Sequence, residues 1–167
     1  MNDVKMHGKV IWITGLSGAG KTSLALELQR RLSGSVTLLD GDVLREVLHY
    51  GNFGYDAESR RRIGHTYARL AKMLAEQGQT VLCAVVVMVD NVRCWNREHI
   101  QNYTEVFLDV PLDILQQRDR KGVYQNSDVV GQDIVPELPT MPDIVLPCDA
   151  TIEENAVRVM NFIAKDS

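Results

Sequence analysis

The chain has 167 residues, with 18 Lys plus Arg against 22 Asp plus Glu and a formal net charge of −4. That length suits a single domain over residues 1–167 that buries roughly 70% of its unfolded surface. The acidic balance argues against a nucleic-acid-binding surface, and no run reaches the ~18 apolar residues of a membrane span.

The first element is Val10 to Ile13, a short apolar run of buried-strand type. The octet from Gly15 to Thr22 follows: Gly15, Leu16, Ser17, Gly18, Ala19, Gly20, Lys21 and Thr22. Two glycines four residues apart, then Lys and Thr, fit the phosphate-binding loop of nucleoside triphosphatases. Backbone N–H groups can wrap a polyphosphate only where Cβ atoms do not hold the chain away. Lys21 supplies a cation for the β- and γ-phosphates, and the Thr22 hydroxyl is placed to ligate Mg²⁺. Ser23 to Leu32 is amphipathic, with Leu24, Leu28 and Leu32 on one face, so the loop feeds a helix whose positive end faces the anion. ATP and Mg²⁺ are therefore the expected cofactors, with residues 15–23 as the ATP-binding loop.

Val36 to Leu39 reads as a second strand, ending at Asp40-Gly41-Asp42 beside the loop. Two carboxylates there can anchor Mg²⁺ or take a proton from an attacking hydroxyl, so Asp40 and Asp42 join Lys21 as candidate catalytic residues, with Thr22 and Asp40 for the metal. Val43 to Leu48 is a short helix that sets Arg45 one turn past Asp42, where a guanidinium can grip an acceptor phosphate. A Gly-rich turn from Gly51 to Gly54 precedes a long helix from Glu58 to Gln77, with Ile63, Tyr67, Leu70, Ala71 and Leu74 inward and Gly78 as its stop. Of Arg60, Arg61 and Arg62 on that helix, one or two can face the site. Thr80 to Met88 reads as a central parallel strand covered on both faces. A helix from Asn91 to Asn102, a strand from Glu105 to Val110 and a helix from Pro111 to about Arg118 come next. Residues 119–142 are polar, proline-containing and aperiodic, and read as a mobile lid that brings Arg118 and Lys121 to the γ-phosphoryl on closing. Asp143 to Leu146 and Ile152 to Ala164 close the chain as a strand and a helix. Alternating strands and helices predict an α/β fold: a three-layer P-loop nucleoside triphosphatase domain, its parallel five-stranded sheet carrying helices on both faces. Cys83, Cys94 and Cys148 lack metal-type spacing, and the N-terminus lacks a signal-peptide pattern, so free thiols in a cytoplasmic protein are expected.

Taken in order, the loop, Leu39-Asp-Gly-Asp42 with Arg45, Arg61-Arg62-Ile63-Gly64, and Arg118-Asp-Arg-Lys-Gly-Val-Tyr124 resemble adenylyl-sulfate kinase over nearly the whole chain. The resemblance implies an ATP- and Mg²⁺-dependent transfer of the γ-phosphoryl to the ribose 3′-hydroxyl of an activated nucleotide, adenylyl sulfate by default. It also implies Asp42 as base or metal partner, Arg45 as an acceptor-phosphate contact, a lid over 118–135, and a homodimer. The departures gather where the family holds its acceptor. The usual Asp-Arg-x-x-Asn is Tyr55-Asp56-Ala57-Glu58-Ser59, the usual Ser-Pro-Tyr-Arg is Val87-Met88-Val89-Asp90, and the lid's Phe-Thr-Gly is Val129-Val130-Gly131. With Cys94-Trp95-Asn96-Arg97-Glu98, this pattern is similar to a divergent branch that includes cytidine diphosphoramidate kinase of capsule biosynthesis. A small-molecule nucleotide is the expected partner, and sulfate assimilation or capsule biosynthesis the expected setting. The expected acceptor-binding residues are Asp42, Arg45, Phe53, Tyr55, Arg62, Lys121, Val129 and Val130, with Trp95 as a further stacking candidate. A different P-loop metabolite kinase is the remaining enzymatic reading.

Overall fold

The computed structural model describes residues 8–48, 54, 56–119, 122–125 and 129–165. Five strands form one fully parallel sheet: β1 (Lys9–Thr14), β2 (Val36–Asp40), β3 (Thr80–Ala84), β4 (Tyr103–Asp109) and β5 (Ile144–Pro147), in the order β2-β3-β1-β4-β5. The helices are α1 (Lys21–Arg31), α2 (Gly41–Val47), α3 (Ala57–Glu76), α4 (Asp90–His99), α5 (Leu112–Gln117) and α6 (Ile152–Lys165).

Strand alternation divides the core in two. Ile11 and Ile13 of β1 face one side with Leu82 and Ala84 of β3, packing on Leu24 and Leu28 of α1 and Ala156 and Val159 of α6. Val10 and Trp12 face the other way with Val81 and Cys83, and meet Ile63, Tyr67 and Ala71 of α3 and Val92 of α4. Because β1 is covered on both faces its four central residues, Val10 to Ile13, are all apolar, which is why it reads as a run rather than an alternation. All three cysteines are unpaired, and burial pushes the Cys83 thiol far above its ordinary range. No helix among the described residues is long and apolar enough to cross a membrane.

The expected third strand, Thr80 to Met88, is cut short at Ala84. Its neighbours end there: Ala84 pairs with Asp40, the last residue of β2, and with Ile13, after which β1 turns into the phosphate loop. Val85 keeps one bond to the Ile13 carbonyl (3.2 Å), and beyond it the chain has nothing to pair with. The apolar tail is instead a packing loop, in which Met88 is buried against Phe107 and Val130. The described residues of the 119–142 segment are less irregular than expected. Val123–Gln125 forms a 3-10 turn, and Val130 bridges Ile134 in a tight reversal.

Candidate active site

The phosphate loop leaves β1 through Gly15, whose φ is +149°. A Cβ there would lie 2.9 Å from the Leu108 carbonyl oxygen, so both conformation and space demand glycine. Gly15→Ala is expected to weaken ATP binding at least about tenfold, because the loop must shift away from β4. Calorimetric titration of the variant with magnesium-ATP measures this.

Gly20, at φ +95°, N-caps α1 without a side-chain hydrogen bond, and the first turn of α1 carries no acid. The N–H groups at this helix end are thus left to an anion. Lys21 is 7% exposed, and its ammonium donates to the Leu16 carbonyl at 2.8 Å, so the cation sits inside its own loop. Thr22 and Ser23 are exposed on the first turn. The Thr22 hydroxyl donates to Asp40 Oδ2 at 2.6 Å, tying the loop to the end of β2.

Asp40 has a second task. Its Oδ1 accepts from the Asp42 and Val43 amides at 3.0 and 3.4 Å and so caps α2. Asp42 stands exposed in the first turn of that helix, and Arg45 follows one turn on, partly buried. Thr22 and Asp40 present hard oxygens side by side, the donor type Mg²⁺ prefers. Among the described residues no three His, Cys, Asp or Glu cluster for a metal.

Asp119 and Tyr124 order the segment after α5 and tie it to the phosphate loop by one bond. Both carboxylate oxygens of Asp119 accept backbone bonds, from Val123 at 2.9 Å and Tyr124 at 2.8 Å. The Tyr124 hydroxyl donates to the Ser17 carbonyl at 2.8 Å. Burial, and then Asp119, raise the pKa of Tyr124, so this donor keeps its proton well into alkaline solution. The roles of Asp119 and Tyr124 were not expected from the residue order, although both stand inside Arg118-Asp-Arg-Lys-Gly-Val-Tyr124. An Asp four and five residues before the amides it captures was the available signal.

Other expected residues fall as follows. Arg62 is exposed on α3 and Arg118 is exposed as the C-cap of α5. Phe53, Tyr55 and Lys121 lie outside the described residues. Val129 and Val130 are each 5% exposed, Val130 against Met88 and Phe107. Trp95 serves the α3–α4 seam: it stacks on His99 at 4.5 Å, meets His65 edge-on at 6.2 Å and lies under the Arg69 guanidinium. Asp56, where a cation was expected, caps α3 by accepting from the Glu58 and Ser59 amides and the Ser59 hydroxyl.

A parallel sheet with a Gly-Lys-Thr loop at the carboxyl end of its central strand, opposite a pair of aspartates, defines an ATP-binding phosphotransferase of the P-loop class. The adenylylsulphate kinase family profile matches residues 7–147. The chain belongs to that family and is an ATP-dependent kinase. It is 33% identical to cytidine diphosphoramidate kinase of Campylobacter jejuni over 172 aligned residues, covering 96% of this chain and 99% of that protein. It is 36% identical to adenylyl-sulfate kinase of Rippkaea orientalis, covering 93% of this chain and 91% of that one. Among solved structures, the Mycobacterium tuberculosis APS kinase in complex with AMPPNP and APS superposes with a TM-score of 0.88 at 32% identity, covering 95% of this chain and 98% of that one.

Proposed function

We propose that the protein transfers the γ-phosphoryl of ATP to the ribose 3′-hydroxyl of a nucleotide bearing an activated group on its 5′ side. The observation that carries this reading is the 2.6 Å bond from Thr22 to Asp40, which sets the phosphate loop and the Asp40–Asp42 turn against each other. The loop N–H groups and the start of α1 hold the triphosphate, and Lys21 neutralises the transferring group. Thr22 and Asp40 would hold Mg²⁺, which when bound screens the phosphate charge. Asp42 accepts the proton of the attacking hydroxyl as the new O–P bond forms and the bond to ADP breaks. Arg45 and Arg62 grip the acceptor's phosphate, and Arg118 and Lys121 cover the donor from the lid. Phe53 and Tyr55 shape the acceptor pocket, while Val129 and Val130 are buried behind it.

Adenylyl sulfate is the first reading of the acceptor. Cytidine diphosphoramidate is the second, and two observations favour it. Val129, where the family has an aromatic, is packed away, and Asp56 is spent on a helix cap where the family has a cation. The test is a panel of adenylyl sulfate, cytidine diphosphoramidate and plain nucleotides with ATP, read by product mass. Addition of one phosphoryl to either activated nucleotide supports the proposal, and a preference of about tenfold, ~1.4 kcal/mol, decides between the two. Transfer to neither overturns it. Asp56→Arg is a poor route to adenylyl sulfate activity, because losing the α3 cap costs about 1 kcal/mol of stability.

A further inference from the structure

Beneath the end of the lid lies a group of buried charges that phosphoryl transfer does not use. The Arg93 side chain, on α4, is 4% exposed. It pairs with Asp90 at the start of its own helix and with Glu105 of β4 (Nε to Oε1 3.3 Å), and it donates to the Glu137 carbonyl at 2.6 Å. Glu137 is held twice more: its amide donates to the Met88 carbonyl at 3.1 Å, and its carboxylate accepts from the Asp90 amide at 2.5 Å. One residue of the lid is therefore nailed to the loop that follows β3 and to the beginning of α4. From that point the chain runs back to the Val130–Ile134 bridge, whose two residues belong to the apolar cluster of Met88, Phe107, Val86 and Leu16. Leu16 belongs to the phosphate loop, and Gly131 lies so near it that a Cβ would come within 3.0 Å of both its δ carbons. A line of contacts thus leads from Arg93 through Glu137 and the Val130–Ile134 bridge to the loop that holds phosphate.

We propose that Arg93 is a positioning residue for the donor site: it fixes the distal root of the lid at Glu137, and through Val130 and Gly131 it sets how Leu16 and the phosphate loop are held. A buried guanidinium is retained only with its partners in place, so its three contacts move together or not at all. Arg97 makes the natural comparison. It also pairs with Glu105 (2.9 Å), but its other contacts, Asp143 at 3.3 Å and the Met141 carbonyl at 2.8 Å, lie past Glu137 in the chain, towards β5 and away from the Val130–Ile134 bridge.

The inference rests on the P-loop kinase reading but not on the identity of the acceptor, so its test needs none. Arg93→Met, Arg93→Lys and Arg97→Met are compared with the parent chain by amide hydrogen exchange and by titration with AMPPNP. In Arg93→Met the slow amides of residues 129–137 should exchange about tenfold faster while those of β1 and β3 hold within about twofold. AMPPNP affinity should fall about fivefold or more, with Arg93→Lys intermediate and Arg97→Met leaving both readouts near the parent. Should Arg93→Met not fold, Glu137→Ala removes the carboxylate contact alone and should show the same local pattern at smaller size. Uniform acceleration across all strands, unchanged exchange in 129–137, unchanged AMPPNP affinity, or an equal effect from Arg97→Met would each overturn the proposal. If the parent itself binds no AMPPNP, the kinase reading fails rather than this inference.

Discussion

Replacing Lys21 by alanine is expected to lower phosphoryl transfer by about three orders of magnitude or more while leaving the protein folded. The rate effect follows from electrostatics. The transferring group spreads negative charge over its equatorial oxygens, and a fixed donor aimed at developing charge is worth about 10²–10³ in rate even when neutral. Lys21, itself only 7% exposed, adds a full charge that water screens weakly. Stability should change little. The ammonium's bond is to the Leu16 carbonyl, which also accepts from the Ala19 amide at 3.2 Å and so is not orphaned by the change. The measurement is ADP release in a coupled assay beside a thermal melt of the same sample. Turnover near that of the parent, with an unchanged melt, would remove the donor site from this loop.

The parts of the molecule that could be read from the residue order are those whose chemistry is local. Gly15 to Thr22 needs no partner to declare itself, since backbone clearance, cation and hydroxyl stand within eight residues. The covered strands were legible for a related reason: β1 and β3 are apolar at successive positions because both faces are packed. Where the reading failed, the deciding contact came from far along the chain. The apolar stretch after Ala84 looks like more strand, and only the ends of β1 and β2 show that pairing has run out. Asp56 reads as a lost acceptor contact until its three hydrogen bonds to the start of α3 are seen. The Arg93–Glu105–Arg97 group joins α4, β4 and the end of the lid across separations no periodicity records. Burial pushes the Glu105 carboxyl up while both arginines pull it down, an opposition set wholly by tertiary placement.

The two aspartates of the Asp40-Gly41-Asp42 turn should separate cleanly on substitution, because the geometry gives them different work. Both oxygens of Asp40 are committed, one to the Thr22 hydroxyl and one to the amides that open α2. Asparagine at position 40 can still cap a helix, so Asp40→Asn should keep the fold and lose the anionic oxygen offered to the metal. The expected result is a rise in the apparent KM for magnesium-ATP of about tenfold, partly relieved by excess Mg²⁺. Asp40→Ala adds the loss of the cap, about 1 kcal/mol, and should lower the melting point as well. Asp42 is exposed and bears no part of that cap through its side chain. Asp42→Asn keeps its size but cannot accept the hydroxyl proton, so kcat should fall about 10²–10⁴-fold with KM for ATP within about twofold of the parent. Steady-state kinetics on the two asparagine variants, run with the acceptor that the nucleotide panel identifies, test the division directly. If Asp42→Asn moved KM for ATP and spared kcat, the proton would have to leave by another group, and the role given to Asp42 would be wrong.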